Sequence, residues 1–189
     1  MRFDSAAVSG KLFALENLGV GGFAHLNGTL ESHLRGTHGL LLEWGNPPYV
    51  CDAGLYHAVY GTQPMARLGL PHREYSPSDR PAIREIIGEE SERLVYLYGA
   101  CDRDYFYPRI GSPEAIYRDR FTGESLEPPR QTLRDLLELT MANELEICIA
   151  GPAFREAHRD GYIGLFERFE GIVSAKAFGR YREVFVPMG

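Results

Sequence analysis

The sequence predicts an all-α fold, a bundle of helices with at most one small β-hairpin. Apolar residues recur at helical spacing in several long segments, which glycine and proline residues separate. Alternation of polar and apolar residues, which is typical of strands, is confined to a short stretch near 116–126. A chain of 189 residues, 44% of them hydrophobic, can form one domain with a sizeable core, so we assign residues 1–189 to a single domain.

The N-terminal third contains three predicted helices. A short apolar pattern over 11–19 ends at the glycines of LGVGGF. Leucines at helical spacing predict a helix over 30–44, which the turn Gly45-Asn46-Pro47 terminates. Residues 48–60 predict a further helix, and its composition is too apolar for the surface.

The rest of the chain begins with a proline-rich loop. Residues 61–79 hold three prolines and predict an ordered loop or lid. Two helices broken at Gly88 follow it, and then an irregular region that contains the hairpin near 116–126. The strongest helix, RQTLRDLLELTMANELEICIA, ends near Gly151-Pro152. The last helical stretch covers roughly 153–180.

Composition excludes several classes of function. The net charge is −6 and no Lys/Arg cluster is present, which argues against nucleic-acid binding. No apolar run reaches transmembrane length and the N-terminus lacks a secretory h-region, so we expect a cytoplasmic protein without membrane association. The three cysteines lack CxxC spacing and have apolar neighbours, which predicts buried free thiols. Oligomeric state cannot be read from the sequence.

The stretch CDAGLYHAVYGT places His57 within an apolar helix. Such a histidine is either a hydrogen-bonded core residue or part of a functional pocket. Tyr60 follows one turn later, and its hydroxyl is a candidate substrate contact. His33 lies on the preceding helix, where Thr37 shares its face and is a second candidate contact. His38 points about 140° away from His33 and is expected at the surface.

Two further polar residues are candidates for the same pocket. Asn143 lies among leucines in the middle of the strongest helix, where an amide is unfavourable unless it is hydrogen-bonded. Arg103 follows Asp102 at the end of an apolar helix, and either this pair is a structural ion pair or both residues belong to the site. We therefore include Asn143 and Arg103 among the candidate substrate-binding residues.

The order of these residues resembles the HD-domain superfamily of metal-dependent phosphohydrolases and its oxygenase relatives. That superfamily has an H…HD…D pattern on a helical bundle, which places its histidines at His33 and His57 and its last aspartate at Asn143. The block AGLYHAVYGT, preceded by EWGNP, is more closely similar to a group of uncharacterised bacterial proteins that share AGLxHxxYGT. The resemblance covers roughly residues 30–150 and implies an HD-like helical bundle.

The departures from the HD pattern affect which metal ions the site could bind. Ala58 stands where the HD pair has its aspartate, and Asn143 replaces the last one. Hard divalent ions prefer carboxylate oxygens, so a dinuclear phosphohydrolase site is disfavoured. A single Fe, Mn or Zn ion on His33 and His57 would need a carboxylate from elsewhere. Asp102 is the preferred candidate, ahead of Asp52 and Glu144.

Three functions remain open. The first is a small-molecule enzyme of hydrolase or oxygenase type, in which His33, His57 and Asp102 are catalytic and bind one transition metal. The second is a metal-free enzyme that uses the histidines for acid–base catalysis. The third is a non-catalytic module that binds a small molecule on a degenerate HD scaffold.

Overall fold

The computed structural model of the chain describes residues 8–11, 13–14, 24–25, 28–63, 75–112 and 115–186. Most of these residues are helical, and the all-α prediction is confirmed. The α-helices that we label are α1 Leu30–Trp44, α2 Pro48–Tyr56, α3 Arg80–Ile87, α4 Glu89–Ala100, α5 Arg103–Phe106, α6 Arg130–Ala150, α7 Pro152–Ala157, α8 Arg159–Phe166 and α9 Ala175–Phe185.

Among the described residues, strands form only two-residue antiparallel pairs. Strand β1 (Ala24–His25) pairs with β2 (Gly28–Thr29), and this pair was not predicted. Strand β3 (Tyr117–Arg118) pairs with β4 (Ser125–Leu126), which confirms the hairpin predicted near 116–126. Single 3₁₀ turns at Pro77–Asp79, Tyr107–Arg109 and Glu167–Phe169 connect helices.

Helix α6 lies at the centre of the fold. It packs against α1, α2, α4, α7 and α9, and its middle section is almost entirely buried. A helix that is surrounded on all sides buries more than one face, which explains why leucines occur around its whole circumference. Polar residues in this section are therefore held inside the protein.

Helices α1 and α2 approach each other closely at Gly54. A Cβ atom on Gly54 would lie 2.8 Å from Leu41 Cδ1 and 3.2 Å from the backbone of His38. Glycine is the residue that permits this approach, and it brings the C-terminal end of α2 against the middle of α1.

The predicted helix over 48–60 is shorter than expected. Helix α2 ends at Tyr56, and residues 57–60 form turns, with hydrogen bonds from Val59 N to Tyr56 O (3.0 Å) and from Gly61 N to Ala58 O (2.9 Å). His57 is thus the C-cap of the helix. Gly61 has a φ of +64°, which ends the segment in a conformation that glycine favours.

Other sequence-based expectations are confirmed in part. Cys51, Cys101 and Cys148 are buried free thiols, as predicted. The predicted helix over 11–19 is helical at the described positions, and 15–19 lie outside the described residues, as do 64–74 of the predicted lid. Among the helices that the structure describes, none is long and apolar enough to cross a membrane.

Candidate functional site

His33 and His57 meet in the interior of the protein. His33 comes from α1 and His57 from the end of α2, and each is only 3% exposed. Their Nε2 atoms lie 3.3 Å apart, and the two rings are nearly perpendicular. The close contact of α1 and α2 at Gly54 is what brings these two side chains together.

Helix α6 adds two polar side chains to the pair. Asn143 Oδ1 lies 2.9 Å from His33 Nε2, and the Glu146 carboxylate is hydrogen-bonded to His33 Nδ1. Residues three apart share one face of a helix, so both side chains reach His33 from the same side of α6. Glu146 was missed by the sequence analysis, although its spacing from Asn143 is the signal that could have found it.

The hydrogen bonds determine where the protons lie. His57 Nδ1 is 2.9 Å from the carbonyl oxygen of Gly54, which only accepts, so this nitrogen carries a hydrogen. His33 Nδ1 likewise donates to the Glu146 carboxylate. The amide nitrogen of Asn143 donates to Glu144 Oε1 at 3.1 Å, which leaves its oxygen toward His33.

Three lone pairs consequently converge on one point. With both Nδ1 atoms protonated, the Nε2 atoms of neutral imidazoles face each other as acceptors, and Asn143 adds an amide oxygen. Acceptors at these distances repel one another unless a proton or a cation lies among them. A proton or a cation among these three atoms would relieve the repulsion, and the Glu146 carboxylate beside His33 would balance its positive charge.

A second polar group, centred on Arg103, adjoins the histidines. Its Nη1 donates to Glu144 Oε1 at 3.3 Å, and the guanidinium faces the Tyr98 ring at 4.7 Å. The Tyr98 ring also contacts His57, and the centroids of the two rings are 5.5 Å apart. Tyr162 donates to the second oxygen of Glu144 at 2.8 Å. Contacts between buried side chains thus connect His57 to Arg103 through Tyr98.

Two members of this group have unsatisfied polar atoms. Among the described residues, neither the Tyr98 hydroxyl nor Arg103 Nε and Nη2 has a hydrogen-bond partner, although all three atoms are buried. A buried donor without a partner costs about 1–3 kcal/mol, and more when it is charged. Burial raises the pKa of Tyr98 above its usual range, although the charge of Arg103 lowers it in part, so the hydroxyl remains protonated.

The structure contradicts the role predicted for Asp102. Its carboxylate caps α5 by accepting from Tyr105 N at 3.2 Å, and it pairs with Arg118 at 2.6 Å. Burial tends to raise the pKa of Asp102, but the hydrogen bonds from Arg118 and Tyr105 N hold it below its usual value. In the part of the chain that the structure describes, no three His, Cys, Asp or Glu side chains are grouped to hold a metal, so Asp102 does not complete a metal site with His33 and His57.

Four other expectations need correction. The Tyr60 hydroxyl donates to Glu92 Oε1 at 2.8 Å and belongs to a separate buried cluster. Thr37 shares the face of His33, but its hydroxyl is donated to the His33 carbonyl at 3.0 Å within α1. His38 is buried rather than exposed, and it bonds to the Cys51 carbonyl at 2.8 Å. Arg103 pairs with Glu144 and not with Asp102.

Comparison with known proteins identifies one family. The family model of a domain of unknown function (DUF6817) matches residues 14–103, slightly less than half of the 189-residue chain. This match includes His33, His57 and Arg103, whereas α6 with Asn143 and Glu146 lies beyond it. Searches of curated proteins and of solved structures found no match. The N-terminal half of the chain is thus similar to a family whose function is undescribed.

Proposed function

We propose that the protein is a cytoplasmic small-molecule enzyme in which His33 and His57 form a proton-transfer pair. The observation that carries the proposal is the convergence of two Nε2 atoms at 3.3 Å, each on a ring whose Nδ1 is already engaged. Histidine is the side chain whose unperturbed pKa lies near neutral pH, and it is the most frequent acid–base catalyst.

The residues have distinct roles in this pair. With the proton on His33, its Nε2 donates to His57 Nε2 and Asn143 Oδ1, and Glu146 stabilises the imidazolium. His57 is held in one orientation by the Gly54 carbonyl and supplies the basic nitrogen. A substrate atom that reaches the shared position takes the proton from this pair or delivers one to it.

A single transition metal on the same atoms is the second candidate. Two imidazole nitrogens that bind one tetrahedral ion at about 2.0–2.1 Å lie roughly 3.3 Å apart, as these two do. Metal-bound histidines also donate their other nitrogen to a carboxylate or a carbonyl, as His33 and His57 do. Fe, Mn or Zn would activate a bound water, and iron could activate dioxygen.

The donor set makes the metal the second choice. Of the residues that the structure describes, only two imidazoles and one neutral amide converge, and the carboxylate of Glu146 is on the far side of His33. Divalent ions favour an anionic ligand that offsets their charge. The positions of His33, His57 and Asn143 on α1, α2 and α6 support a distant HD-like ancestry and disfavour a dinuclear phosphohydrolase.

Nuclear magnetic resonance of ¹⁵N-histidine protein tests the proton-transfer pair. We expect both His33 and His57 to carry a hydrogen at Nδ1 near neutral pH, with one additional proton shared between their Nε2 atoms. Loss of the shared proton in His57→Gln would support the assignment. Two neutral rings that carry their hydrogens at Nε2 would refute it. The exposed His158, changed to Gln, is the matched control.

Metal titration separates the two candidates. One equivalent of Fe²⁺, Mn²⁺ or Zn²⁺ that perturbs both histidines together, and not in His33→Ala, would favour the metal site. If none of the three ions perturbs them, the proton-transfer pair is favoured.

Turnover distinguishes an enzyme from a binding module. Proton NMR of small organic acids, esters and amides in D₂O reports both product formation and hydrogen exchange at carbon. We expect chemistry that His57→Gln slows by about 10²–10⁴-fold and that EDTA leaves unchanged. A compound that stabilises the fold without any chemical change would instead indicate the non-catalytic binding module.

A further inference from the structure

The guanidinium of Arg103 has one edge that forms no hydrogen bond within the described part of the chain. Arg103 is 8% exposed, and its Nη1 is bonded to Glu144, whereas Nε and Nη2 have no partner among the described residues. These two atoms form one side of the planar fork and point in parallel directions. The unsatisfied donors are therefore adjacent and aligned.

The same edge binds carboxylates elsewhere in this molecule. Arg80 uses Nε and Nη2 to hold Glu92 at 2.7 and 3.1 Å. Arg118 uses the same two atoms to hold Asp102 at 2.9 and 2.6 Å. Both arginines are more exposed than Arg103. The most buried of the three is thus the one whose carboxylate-binding edge has no partner among the residues with described positions.

Glu144 does not satisfy all the hydrogen-bond donors of Arg103. Its first oxygen also accepts from Asn143, and its second accepts from Tyr162, so the carboxylate is satisfied by three donors. Only Nη1 of Arg103 takes part in this network. The pairing neutralises the guanidinium and leaves the Nε and Nη2 hydrogens without an acceptor.

The surroundings of this edge suit a small ligand. The rings of Tyr98 and Tyr107 lie 4.7 and 5.6 Å from the planar guanidinium, and these contacts help to orient it. The Tyr98 hydroxyl is a third buried donor without a partner. Tyr98 also contacts His57, so its ring connects the Arg103 guanidinium with the histidine pair.

We propose that the Nε–Nη2 edge of Arg103 binds the carboxylate of a small organic acid and that Tyr98 donates a further hydrogen bond to it. That this acid is also the substrate rests on the proposed function, whereas the binding site does not. A planar carboxylate matches the two parallel N–H groups. The negative charge of Glu144 disfavours ligands with more than one charge, so a monocarboxylate binds better than phosphate or a dicarboxylate.

The arginine Nε–H resonances of the wild-type protein test the binding site directly. Sodium acetate and propionate are titrated at constant ionic strength against sodium chloride. We expect one Nε–H resonance to shift with saturation, and phosphate or succinate to bind at least several-fold more weakly. If no resonance moves, or if phosphate binds as tightly as acetate, the proposal is overturned.

Arg103→Lys assigns the resonance and tests the geometry. Lysine retains the charge but lacks the fork, so we expect acetate to bind about tenfold more weakly or worse. Arg180→Lys is the matched control, because the Arg180 Nε is also without a partner but its side chain is 36% exposed. Binding to Arg103→Lys at wild-type affinity would overturn the proposal. If that variant does not fold, Tyr98→Phe, which removes only the hydroxyl, must weaken acetate binding.

His57→Gln separates this inference from the proposed function. We expect the variant to bind acetate as the wild type does, even though proton transfer is lost. Saturable binding in a wild type that catalyses nothing would remove the proposed function and leave the carboxylate site. Turnover by a protein that does not bind acetate at Arg103 would remove the carboxylate site and leave the proposed function.

Discussion

Two buried acidic groups of α2 make the protein sensitive to alkaline pH. Burial, with a smaller contribution from the charge of Asp52, raises the pKa of the Cys51 thiol to about 11. The same two causes raise the pKa of Tyr56 to about 12. Each side chain is only 3% exposed, so the neutral forms are held inside the fold.

We predict that stability falls as the pH rises above about 9. In the unfolded chain these groups ionise near their ordinary pKa values, whereas the folded protein retains the protons, so the unfolded state gains in relative stability. The contribution is complete below pH 9 and is lost as the pH approaches the folded-state values. Urea unfolding should show a loss of roughly 2–4 kcal/mol between pH 8 and pH 11.

Thiol alkylation provides the control for this prediction. At pH 8 the native Cys51, Cys101 and Cys148 should react with iodoacetamide far more slowly than in urea, because burial raises the pKa of each thiol. Stability that is unchanged up to pH 11, or rapid alkylation of the native protein, would contradict the assignment.

Gly36 leaves the space that the Glu146 side chain occupies. A Cβ atom on Gly36 would lie 2.6 Å from Glu146 Cγ, so Gly36→Ala should push the carboxylate away from His33. We expect the His33 Nδ1–H resonance to move, and the protein to lose about 1–3 kcal/mol of stability. Gly161→Ala is the control, since no described atom lies within 4 Å of its Cβ position, and it should stabilise α8 by about 0.5–1 kcal/mol. An unmoved His33 resonance would show that Glu146 is not its partner.

The residues of the site were predictable to different degrees. His33 and His57 were singled out by their HD-like order, and Asn143 also because an amide within an apolar helix is unfavourable without a partner; the structure brings the three side chains together. Glu146 lies 113 positions from His33, and only its three-residue spacing from Asn143 indicated that both side chains lie on one face of α6. Asp102 was misplaced because a helix N-cap and a pocket ligand have the same local sequence context.

At the scale of elements, the contact of α1 with α2 sets the position of His57. We predict that Gly54→Ala destabilises the protein by about 1–3 kcal/mol, because its Cβ would meet Leu41 and the His38 backbone. It should also alter the His57 ring signals, since the Gly54 carbonyl is the partner of His57 Nδ1. Denaturant unfolding and histidine NMR measure both effects. If neither the stability nor the His57 ring signals change, the close contact of α1 and α2 at Gly54 does not set the position of His57.

Helix existence was easier to predict than helix ends. The apolar pattern of 48–60 is continuous, but α2 stops at Tyr56, because the following residues bond in turns and Gly61 adopts a positive φ. A periodic pattern reports which face is buried, whereas a helix end depends on which backbone groups find partners. Because α2 ends at Tyr56, His57 is the C-cap of this helix and not a residue within it.

At the scale of the whole molecule, Glu92 connects three parts of the chain. Its side chain is fully buried and binds Arg80 of α3 at 2.7 Å and the Tyr60 hydroxyl at 2.8 Å. We predict that Glu92→Gln lowers the free energy of unfolding by about 1–3 kcal/mol, since Arg80 is left with an uncharged partner. Arg80 remains 28% exposed, and water therefore limits the loss.

Glu90→Gln is the matched control for Glu92. It makes the same change on the same helix at an exposed position, and its effect should stay within about 0.5 kcal/mol. Chemical denaturation of both variants measures the difference. Equal effects at the two positions would show that the buried cluster does not stabilise the fold. No local pattern in the sequence distinguished Glu92 from Glu90, because their difference arises from which elements pack on α4.

The length of α6 has a consequence for the alignment of the site. Asn143, Glu144 and Glu146 all lie on α6. A translation of α6 along its axis therefore displaces all three side chains by the same amount. Glu138, about 7–8 Å back along that axis, accepts from Ser174 N at 2.5 Å and from Asn46 at 3.1 Å. These bonds oppose translation of the helix. The register of α6 against its neighbours, fixed at Glu138, thereby sets how well the polar groups five to eight residues away meet His33 and Arg103.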